Sequence, residues 1–398
     1  MKKFYILIFA LFVFKMANAQ WVQLSSYPTT ENAHEIVLFH DTMIVSTNPM
    51  GTAGIYISTD HGLSWTPKIT SLGSFPFPLV KNANNLYAGT WGTGVFMSSN
   101  KGYSWTAKNN GLPASFAVMD LYSINSNFYV CGTGGVFYSS DNATTWQNIT
   151  ISGLTQASAI IAVGNTIFSS FIFPSSVGVY KSTNNGVNWT LIDTTSGLKD
   201  SRIRKFFLIN NLIFATSDFN GNVYRSNDNG NMWLKVNGLP ATGWNKTYQI
   251  IEKNGIFIMA HNNGVYTSMD NGINWTNIGC TEPSSLAIIG DTLFVGTGYG
   301  IWKRSLTQII TSITETQDYN NIKIFPNPAT NKLNLELQQI KDLKNSTLSI
   351  YDIQGQLMLQ QTIEQTKIEL NITQFSKGIY VIKLKNNKKS IVSKFIKK

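Results

Sequence analysis

The sequence predicts an all-β fold, a seven-bladed β-propeller followed by a small Ig-like β-sandwich. The first observation is an eight-residue pattern, Ser-x-Asp-x-Gly-x-x-Trp, which recurs six times between residues 58 and 275, each time after a short hydrophobic strand. The second is the spacing of 40 to 44 residues between tryptophans, which matches one four-stranded propeller blade. Beyond residue 320 this pattern stops, and alternating apolar and polar residues with Gly and Asn turns predict the sandwich.

The repeated stretch has the composition of a hairpin turn. Three copies are complete, two carry Asn at the Asp position and one carries Ala143 at the Gly position. The Asp or Asn oxygen can accept backbone N–H groups two residues on, Gly supplies positive φ, and Trp covers the hairpin. We therefore expect a structural role, without chemistry, for Asp60, Asn100, Asp141, Asn184, Asp228, Asp270, Trp65, Trp105, Trp146, Trp189, Trp233 and Trp275.

These residues resemble the Asp-box, also called the BNR repeat, of sialidase-like, sortilin-like and xyloglucanase-like β-propellers. The resemblance implies the fold. It does not imply one activity, because unrelated activities share the box.

The two ends of the repeated region predict how the propeller closes. Trp21–Leu24 supplies only a fourth strand, and Ser285–Leu306 supplies only the first three. Joining them completes a seventh blade and removes the open edges, so we assign residues 20–306 to the propeller. Within the third blade, the pattern predicts strands at 116–124, 127–132, 135–140 and 146–149.

Residues 1–19 have the pattern of a secretory signal peptide. Lys2 and Lys3 precede the apolar run Phe4–Phe14, and Ala17-Asn18-Ala19 fits a cleavage site. The run is too short for a stable membrane-spanning helix, although an uncleaved anchor is the alternative. We found no other stretch of spanning length, so we expect no membrane-spanning segment in the mature protein.

Charge and cysteine usage limit the partners and cofactors. The formal net charge is +10, but residues 321–398 carry 13 Lys against 5 acidic residues, and the predicted propeller is close to neutral. A neutral propeller argues against a nucleic-acid partner. Cys131 and Cys280 lie in different repeats, which favours two free thiols over the disulfide that an oxidising compartment would permit. Four scattered His and two distant Cys predict no metal site, and we expect no cofactor.

The polar residues 307–320 predict a linker, and residues 321–398 predict a separate β domain. The motifs of this domain are Pro326-Asn327-Pro328, Tyr351-Asp352-x-x-Gly355, Gly378-x-Tyr380 and a Lys-rich tail. They resemble the type A sorting domain of type IX secretion, found in Bacteroidota. The resemblance implies recognition by the type IX secretion machinery, export through the periplasm, and release from the cell or attachment to its outer surface. An ordinary β-sandwich adhesion module is the alternative.

Ligand sites of propellers usually lie on the face opposite the Asp-box turns, around the central channel. The charged or aromatic candidates there are Glu31, His34, Glu35, Trp91, Asp193, Asp200, Arg202, Arg204, Lys205, Asp218, Phe219, Trp244, Lys246, His261, Glu282 and Tyr299. From these we select, as the ligand-binding residues, Glu35, Trp91, Arg202, Arg204, Phe219, Trp244, His261 and Tyr299. The aromatic residues among them offer stacking surfaces for sugar rings or a peptide.

Two enzyme hypotheses fit this sequence poorly. Sialidases, by resemblance, use three arginines from separate blades, whereas Arg202 and Arg204 share one strand and the other two arginines precede turns on the opposite face. A glycoside hydrolase needs two carboxylates about 5–10 Å apart, and no spacing singles out a pair. We therefore expect non-catalytic binding of an extracellular glycan or protein ligand. A polysaccharide-degrading glycoside hydrolase is the alternative, and a structural surface-layer component is a third class.

Overall fold

In this computed structural model, the described residues are 21–28, 31–47, 54–68, 72, 76–173, 178–218, 220–240, 245–313, 322–337, 346–352, 356–385 and 390–398. They form an all-β protein with a propeller-like domain and a separate C-terminal β domain. Among them, no helix is both long enough and apolar enough to cross a membrane.

The propeller-like domain contains seven four-stranded antiparallel sheets, which we number along the chain. Sheets 1 to 3 consist of Glu35–Phe39, Thr42–Ser46, Ile55–Ser58 and Thr66–Lys68; Pro76–Asn82, Asn85–Thr90, Gly94–Ser98 and Thr106–Ala107; and Val118–Ile124, Asn127–Gly132, Gly135–Ser139 and Gln147–Asn148. Sheets 4 and 5 consist of Gln156–Val163, Thr166–Phe173, Gly178–Ser182 and Thr190–Leu191; and Ile203–Ile209, Leu212–Ser217, Val223–Ser226 and Leu234–Lys235. Sheets 6 and 7 consist of Thr247–Lys253, Ile256–His261, Gly264–Ser268 and Thr276–Asn277; and Pro283–Ile289, Thr292–Thr297, Gly300–Ser305 and Val22–Gln23.

Both ends of the domain meet in sheet 7. Its fourth strand is Val22–Gln23, which pairs with the third strand through Val22 opposite Lys303 and Gln23 opposite Trp302. Sheet 7 thus contains the chain segments that the sequence predicts to join.

The sheets pack face to face through apolar side chains. Seven hydrophobic clusters each connect one sheet to the next, and the seventh connects sheet 7 back to sheet 1 through Phe294, Ile301 and Val45. Because sheets lie on both faces, second strands such as Thr42–Ser46 are buried throughout, while short fourth strands such as Thr106–Ala107 are exposed. This arrangement explains why the second strands are almost continuously apolar in sequence.

The six repeated stretches form turns with one common hydrogen-bond pattern. In the last copy, the Ser268 hydroxyl donates to Asp270 Oδ1 (2.7 Å) and accepts from the Gly272 N–H (3.0 Å). Asp270 Oδ1 also accepts from the Asn274 N–H at 2.9 Å. Gly272 has φ of 77°, and a Cβ there would lie 2.5 Å from the Phe214 ring of the preceding sheet. Glycine therefore provides both the turn conformation and the room that the neighbouring sheet needs.

The segment after sheet 7 differs from the predicted linker. Leu306–Ile313 is an α-helix, and Leu306 and Ile309 are buried in the cluster between sheets 6 and 7. The polar residues between these apolar positions suggested a linker, whereas their spacing of three residues places both on one helical face. Residues 314–321 lie outside the described part of the chain.

The C-terminal domain has two antiparallel sheets. The three-stranded sheet is Ile322–Phe325, Lys332–Leu337 and Lys367–Asn371; the four-stranded sheet, in spatial order, is Leu357–Ile363, Ser346–Asp352, Gly378–Lys385 and Ser390–Lys397. One apolar cluster combines Leu335 and Leu370 of the first sheet with Ile350 and Ile382 of the second. The two sheets therefore share a core.

Candidate functional site

A cavity of about 580 Å³, which we call the central cavity, is lined by residues of all seven sheets. The first strand of every sheet contributes to it. Its polar and aromatic lining includes His34, Glu35, Phe77, Trp91, Ser158, Arg204, Lys205, Asp218, Tyr248 and Ser284.

Irregular strand pairing directs several of these side chains into the cavity. In sheets 2 to 7, the register between the first and second strands shifts near the start of the first strand. Arg204 lies between Ile203 and Lys205, where the register of sheet 5 shifts, and Tyr248 occupies the matching place in sheet 6. Such a β-bulge frees one residue from regular alternation and re-aims its side chain. Both side chains line the cavity.

A side chain near the start of the first strand connects neighbouring sheets in three cases. Glu35 of sheet 1 accepts from the Leu79 N–H of sheet 2 at 2.7 Å. In the same way, Asp120 accepts from the Ile160 N–H at 3.2 Å, and Gln249 from the Leu286 N–H at 2.6 Å. These bonds satisfy first-strand amides that have no strand beside them on the cavity side.

Lys205 is the cation of this inner layer. Its Nζ lies 3.2 Å from Asp120 Oδ1 of sheet 3 and 5.9 Å from the centre of the Phe77 ring of sheet 2. Burial raises the pKa of Asp120 although Lys205 opposes the shift, and burial likewise raises the pKa of Glu35. Burial disfavours the charge of Lys205, but Asp120 and Glu35 outweigh this and raise its pKa. The Lys205 ammonium therefore interacts electrostatically with two carboxyl groups, those of Asp120 and Glu35.

A guanidinium and an aromatic ring form one side of the cavity mouth. Arg204 lies 5.2 Å from the centre of the Tyr248 ring, a distance that permits a cation–π contact. Its Nη1 is 3.7 Å from Asp218 Oδ1, and Arg202 Nη2 is 4.0 Å from Asp218 Oδ2. Asp218 is thus shared between two guanidinium groups.

Aromatic residues of sheets 1 and 2 form another side of the mouth. Trp91 lines the cavity with 57% of its surface exposed. The His34 ring contacts the Phe77 ring edge-on, with 4.5 Å between centres. Burial, assisted by the positive charges of Arg204 and Lys205, lowers the pKa of His34 to about 4, so the imidazole is neutral at pH 7. Its Nδ1 is buried and has no hydrogen-bond partner among the residues described.

The structure brings together only part of the selected residues. Glu35, Trp91 and Arg204 line the cavity, and Arg202 reaches its edge through Asp218. His261 does not line it, because this residue is fully buried within sheet 6, where its ring packs edge-on against Tyr266.

Tyr299 is 62% exposed in the turn between the last two long strands of sheet 7 and does not line the cavity. Phe219 and Trp244 lie outside the described residues. Phe77 and Tyr248 were not among the predicted residues, because their strand-like sequence surroundings carry no signal for the bulges that expose them. The hydrogen bonds that Asp120 and Gln249 accept from the next sheet were not predicted for the same reason.

The described residues contain no cluster of three or more His, Cys, Asp or Glu side chains arranged to hold a metal ion. Both cysteines are free thiols, with Cys131 buried and Cys280 partly buried.

Two families match parts of the chain. Residues 323–398 match the family described as secretion system C-terminal sorting domain, and residues 79–168 match the DUF6242 β-propeller domain. The type IX sorting domain indicates secretion to the cell surface or the extracellular space.

A curated relative and two solved structures resemble the chain. Funoran endo-β-hydrolase of Wenyingzhuangia aestuarii is 31% identical over 80 residues, which is 20% of this chain and only 11% of that enzyme. PorZ, a surface component of the type IX secretion system of Porphyromonas gingivalis, is 16% identical with a TM-score of 0.52, and the match covers 93% of this chain but 60% of PorZ. A GH74 xyloglucanase of Xanthomonas campestris is 13% identical with a TM-score of 0.53, covering 94% and 67%. At these identities, the two structures show a shared fold alone.

Proposed function

We propose that this protein is a secreted seven-bladed Asp-box β-propeller that binds an extracellular glycan or protein ligand in the central cavity, without catalysis. The common hydrogen-bond pattern of the six turns supports the Asp-box assignment. The blade count is supported by the seven sheets and by the apolar cluster that returns from sheet 7 to sheet 1.

The proposed organisation follows the sequence. Residues 1–19 act as a signal peptide, residues 20–306 form the propeller, and residues 321–398 are recognised by the type IX secretion machinery after passage through the periplasm. The match to the sorting family from residue 323 supports the last boundary. The helix Leu306–Ile313 shortens the proposed linker to residues 314–320.

The observation that carries the binding proposal is the composition of the central cavity. Trp91 offers an exposed aromatic face, and Arg204 and Tyr248 offer a guanidinium stacked on a ring. A concave site with aromatic walls and a few polar groups is typical of ligand pockets, and 580 Å³ lies within their usual size range. The residue type at the bulge differs between sheets, for example Arg204 in sheet 5 and Tyr248 in sheet 6, whereas the strand arrangement is the same. This is expected when a repeated fold supports one binding site.

The carboxylates of the cavity favour binding over hydrolysis. A glycosidase needs one carboxyl group that donates a proton and a second that attacks or activates water, both facing the sugar. Glu35 is held by the Leu79 N–H, and Asp218 lies between two guanidinium groups. Each carboxylate therefore already has a partner within the protein.

Glycoside hydrolysis is the second candidate, and Glu35 is the observation that favours it. Burial raises the pKa of Glu35, which is the property required of a general acid. The partial identity with a curated polysaccharide hydrolase points in the same direction.

The two candidates are separated by testing the purified full chain on a glycan array and on polysaccharides, with reducing ends measured over time. Binding without sugar release, reduced at least tenfold in Trp91→Ala, is the expected result. Tyr103→Ala is the matched control, because Tyr103 is similarly exposed but lies in a repeated turn outside the cavity. Sugar release that disappears in Glu35→Gln or Asp218→Asn would establish the hydrolase instead. If no glycan binds but an extracellular protein does, and Trp91→Ala weakens it, the ligand is a protein.

A further inference from the structure

The cavity mouth has an excess of hydrogen-bond donors with positive charge. Arg204 has a guanidinium with five N–H donors, yet it makes no hydrogen bond to the described part of the chain. Its one ionic partner, Asp218, lies 3.7 Å away and is shared with Arg202. Arg204 can therefore take a second, closer anion without breaking a short bond.

The lowered pKa of His34 reflects, besides burial, the positive charges of the same region. Arg204 and Lys205 both disfavour protonation of this imidazole, so their charges reach the space in front of it. The Asp120 carboxyl group pairs with the Lys205 ammonium but does not line the cavity. Because Lys205 is faced by Asp120 and Glu35, Arg204 is the group that would attract an anion in the mouth.

Two serine hydroxyls that line the cavity can act as hydrogen-bond acceptors. The Ser158 hydroxyl donates to the Ile203 carbonyl, and the Ser284 hydroxyl donates to the Ala33 carbonyl, both at 2.7 Å. With their protons engaged, these hydroxyls offer lone pairs. Asp218 is also an acceptor. Acceptors of this kind suit sugar hydroxyls, and the exposed Trp91 face suits the apolar side of a sugar ring.

We propose that the central cavity binds an acidic glycan, in which a carboxylate or sulfate group pairs with Arg204 and a neighbouring sugar ring stacks on Trp91. This inference rests on the proposed function, and it names the ligand class of the same site. Guanidinium groups form charge-assisted hydrogen bonds with both kinds of anion, so the two share one recognition chemistry.

Isothermal titration of the full chain with four ligands of equal length tests the proposal. The ligands are an oligogalacturonate, a sulfated galactan oligosaccharide, a neutral galactan oligosaccharide and an oligoglutamate peptide. We expect at least one acidic oligosaccharide to bind about tenfold more tightly than the neutral one, with affinity that falls as salt increases. The stronger of the two acidic oligosaccharides identifies the anion.

Variants of opposite sign make the test specific. Arg204→Gln should weaken acidic binding about tenfold and should weaken neutral binding by a smaller factor. Asp218→Asn should strengthen acidic binding, because it removes the internal competitor for Arg204. Lys235→Gln, which changes an exposed cation on an outer strand of sheet 5, should change neither.

The outcomes distinguish acidic-glycan binding from ligand binding in general. Equal binding of neutral and acidic oligosaccharides, with no effect of Arg204→Gln, would overturn the acidic-glycan inference while supporting glycan binding. Arg204-dependent binding of the peptide alone would overturn it in favour of a protein ligand. If none of the four ligands binds, this inference fails, whereas the proposed function fails only if the wider array and protein partners are also negative. Should Arg204→Gln unfold, the salt dependence and Asp218→Asn still decide.

Discussion

Replacing Lys205 with Met is expected to destabilise the propeller, because it leaves the buried Asp120 and the half-buried Glu35 without their cation. Met has an unbranched side chain of similar length without a charge, so the change isolates the loss of the ammonium group. Asp120 is 3% exposed and lies 3.2 Å from the ammonium. Removal of one partner from a buried ion pair costs about 3–5 kcal/mol. The Lys205 side chain is 24% exposed, so the lower end, about 3 kcal/mol, is the appropriate estimate.

Thermal unfolding followed by circular dichroism measures this effect. A loss of about 3 kcal/mol corresponds to a fall in Tm of about 6–12 °C for a domain of this size. Below pH 4 the carboxyl groups are protonated in both variants, so the difference between Lys205→Met and the unchanged protein should shrink. Lys235→Met controls for the loss of one surface charge.

A second substitution tests the cause directly. Asp120→Asn keeps an oxygen for the N–H groups of Leu121 and Ile160 but removes the charge. The double variant Lys205→Met with Asp120→Asn should therefore recover at least half of the lost stability. A Tm within 2 °C of the unchanged protein in Lys205→Met alone, or a double variant no more stable than the single one, would refute the assigned role of Lys205.

Three further predictions concern other parts of the molecule. Glu35→Gln should raise Tm at pH 7, because the pKa of Glu35 is raised in the folded protein. The stabilising contribution of this carboxyl group is complete below its ordinary pKa of about 4.3 and is lost as the pH rises through the folded pKa. The gain in Tm should therefore vanish near pH 3.5. Ser268→Ala should cost about 1–3 kcal/mol in urea unfolding, because the buried Gly272 N–H loses its acceptor, and a loss no larger than that of exposed Met269→Ala would contradict this. Asn327→Ala should destabilise the sorting domain by about 1 kcal/mol and speed hydrogen exchange at Ile396, whose N–H it binds at 2.9 Å; unchanged exchange would argue against the contact.

The strands could be predicted because their signals are local. In sheet 3 the predicted second strand, Asn127–Gly132, has the observed limits, and the third, Gly135–Ser139, ends one residue earlier than predicted. Turn residues and alternation with a period of two lie within a few positions of each strand. The helix Leu306–Ile313 was not predicted. Its apolar residues pack between sheets 6 and 7, and the local sequence does not show this contact.

The repeat identified residues of the site most directly in loops, although Glu35 and Arg204, which lie in strands, were also selected. Trp91 and Asp218 follow second strands, so the repeat alone assigned them to the correct face. Phe77 and Tyr248 lie within strands, and a shift of pairing register decides where their side chains point. That shift is accompanied by contacts between sheets, such as the hydrogen bond that the Leu286 N–H donates to Gln249, which a single repeat does not contain.

The comparison of Glu35 with Gln249 bears on the choice between binding and hydrolysis. Glu35 begins the first strand of sheet 1, Gln249 is near the start of the first strand of sheet 6, and both accept a backbone N–H from the next sheet, at 2.7 and 2.6 Å. The amide performs this task without a charge, so the bond itself does not require a carboxylate. The charge of Glu35 therefore has a separate cause, and Lys205, whose pKa it helps to raise, is the cation that it faces. Lys205 lies against Asp120, and Glu35 accepts the Leu79 N–H, so both inner carboxyl groups have partners within the protein. Arg204 makes no hydrogen bond to the described residues, and this arrangement favours holding an anion at Arg204 over delivering a proton beside it.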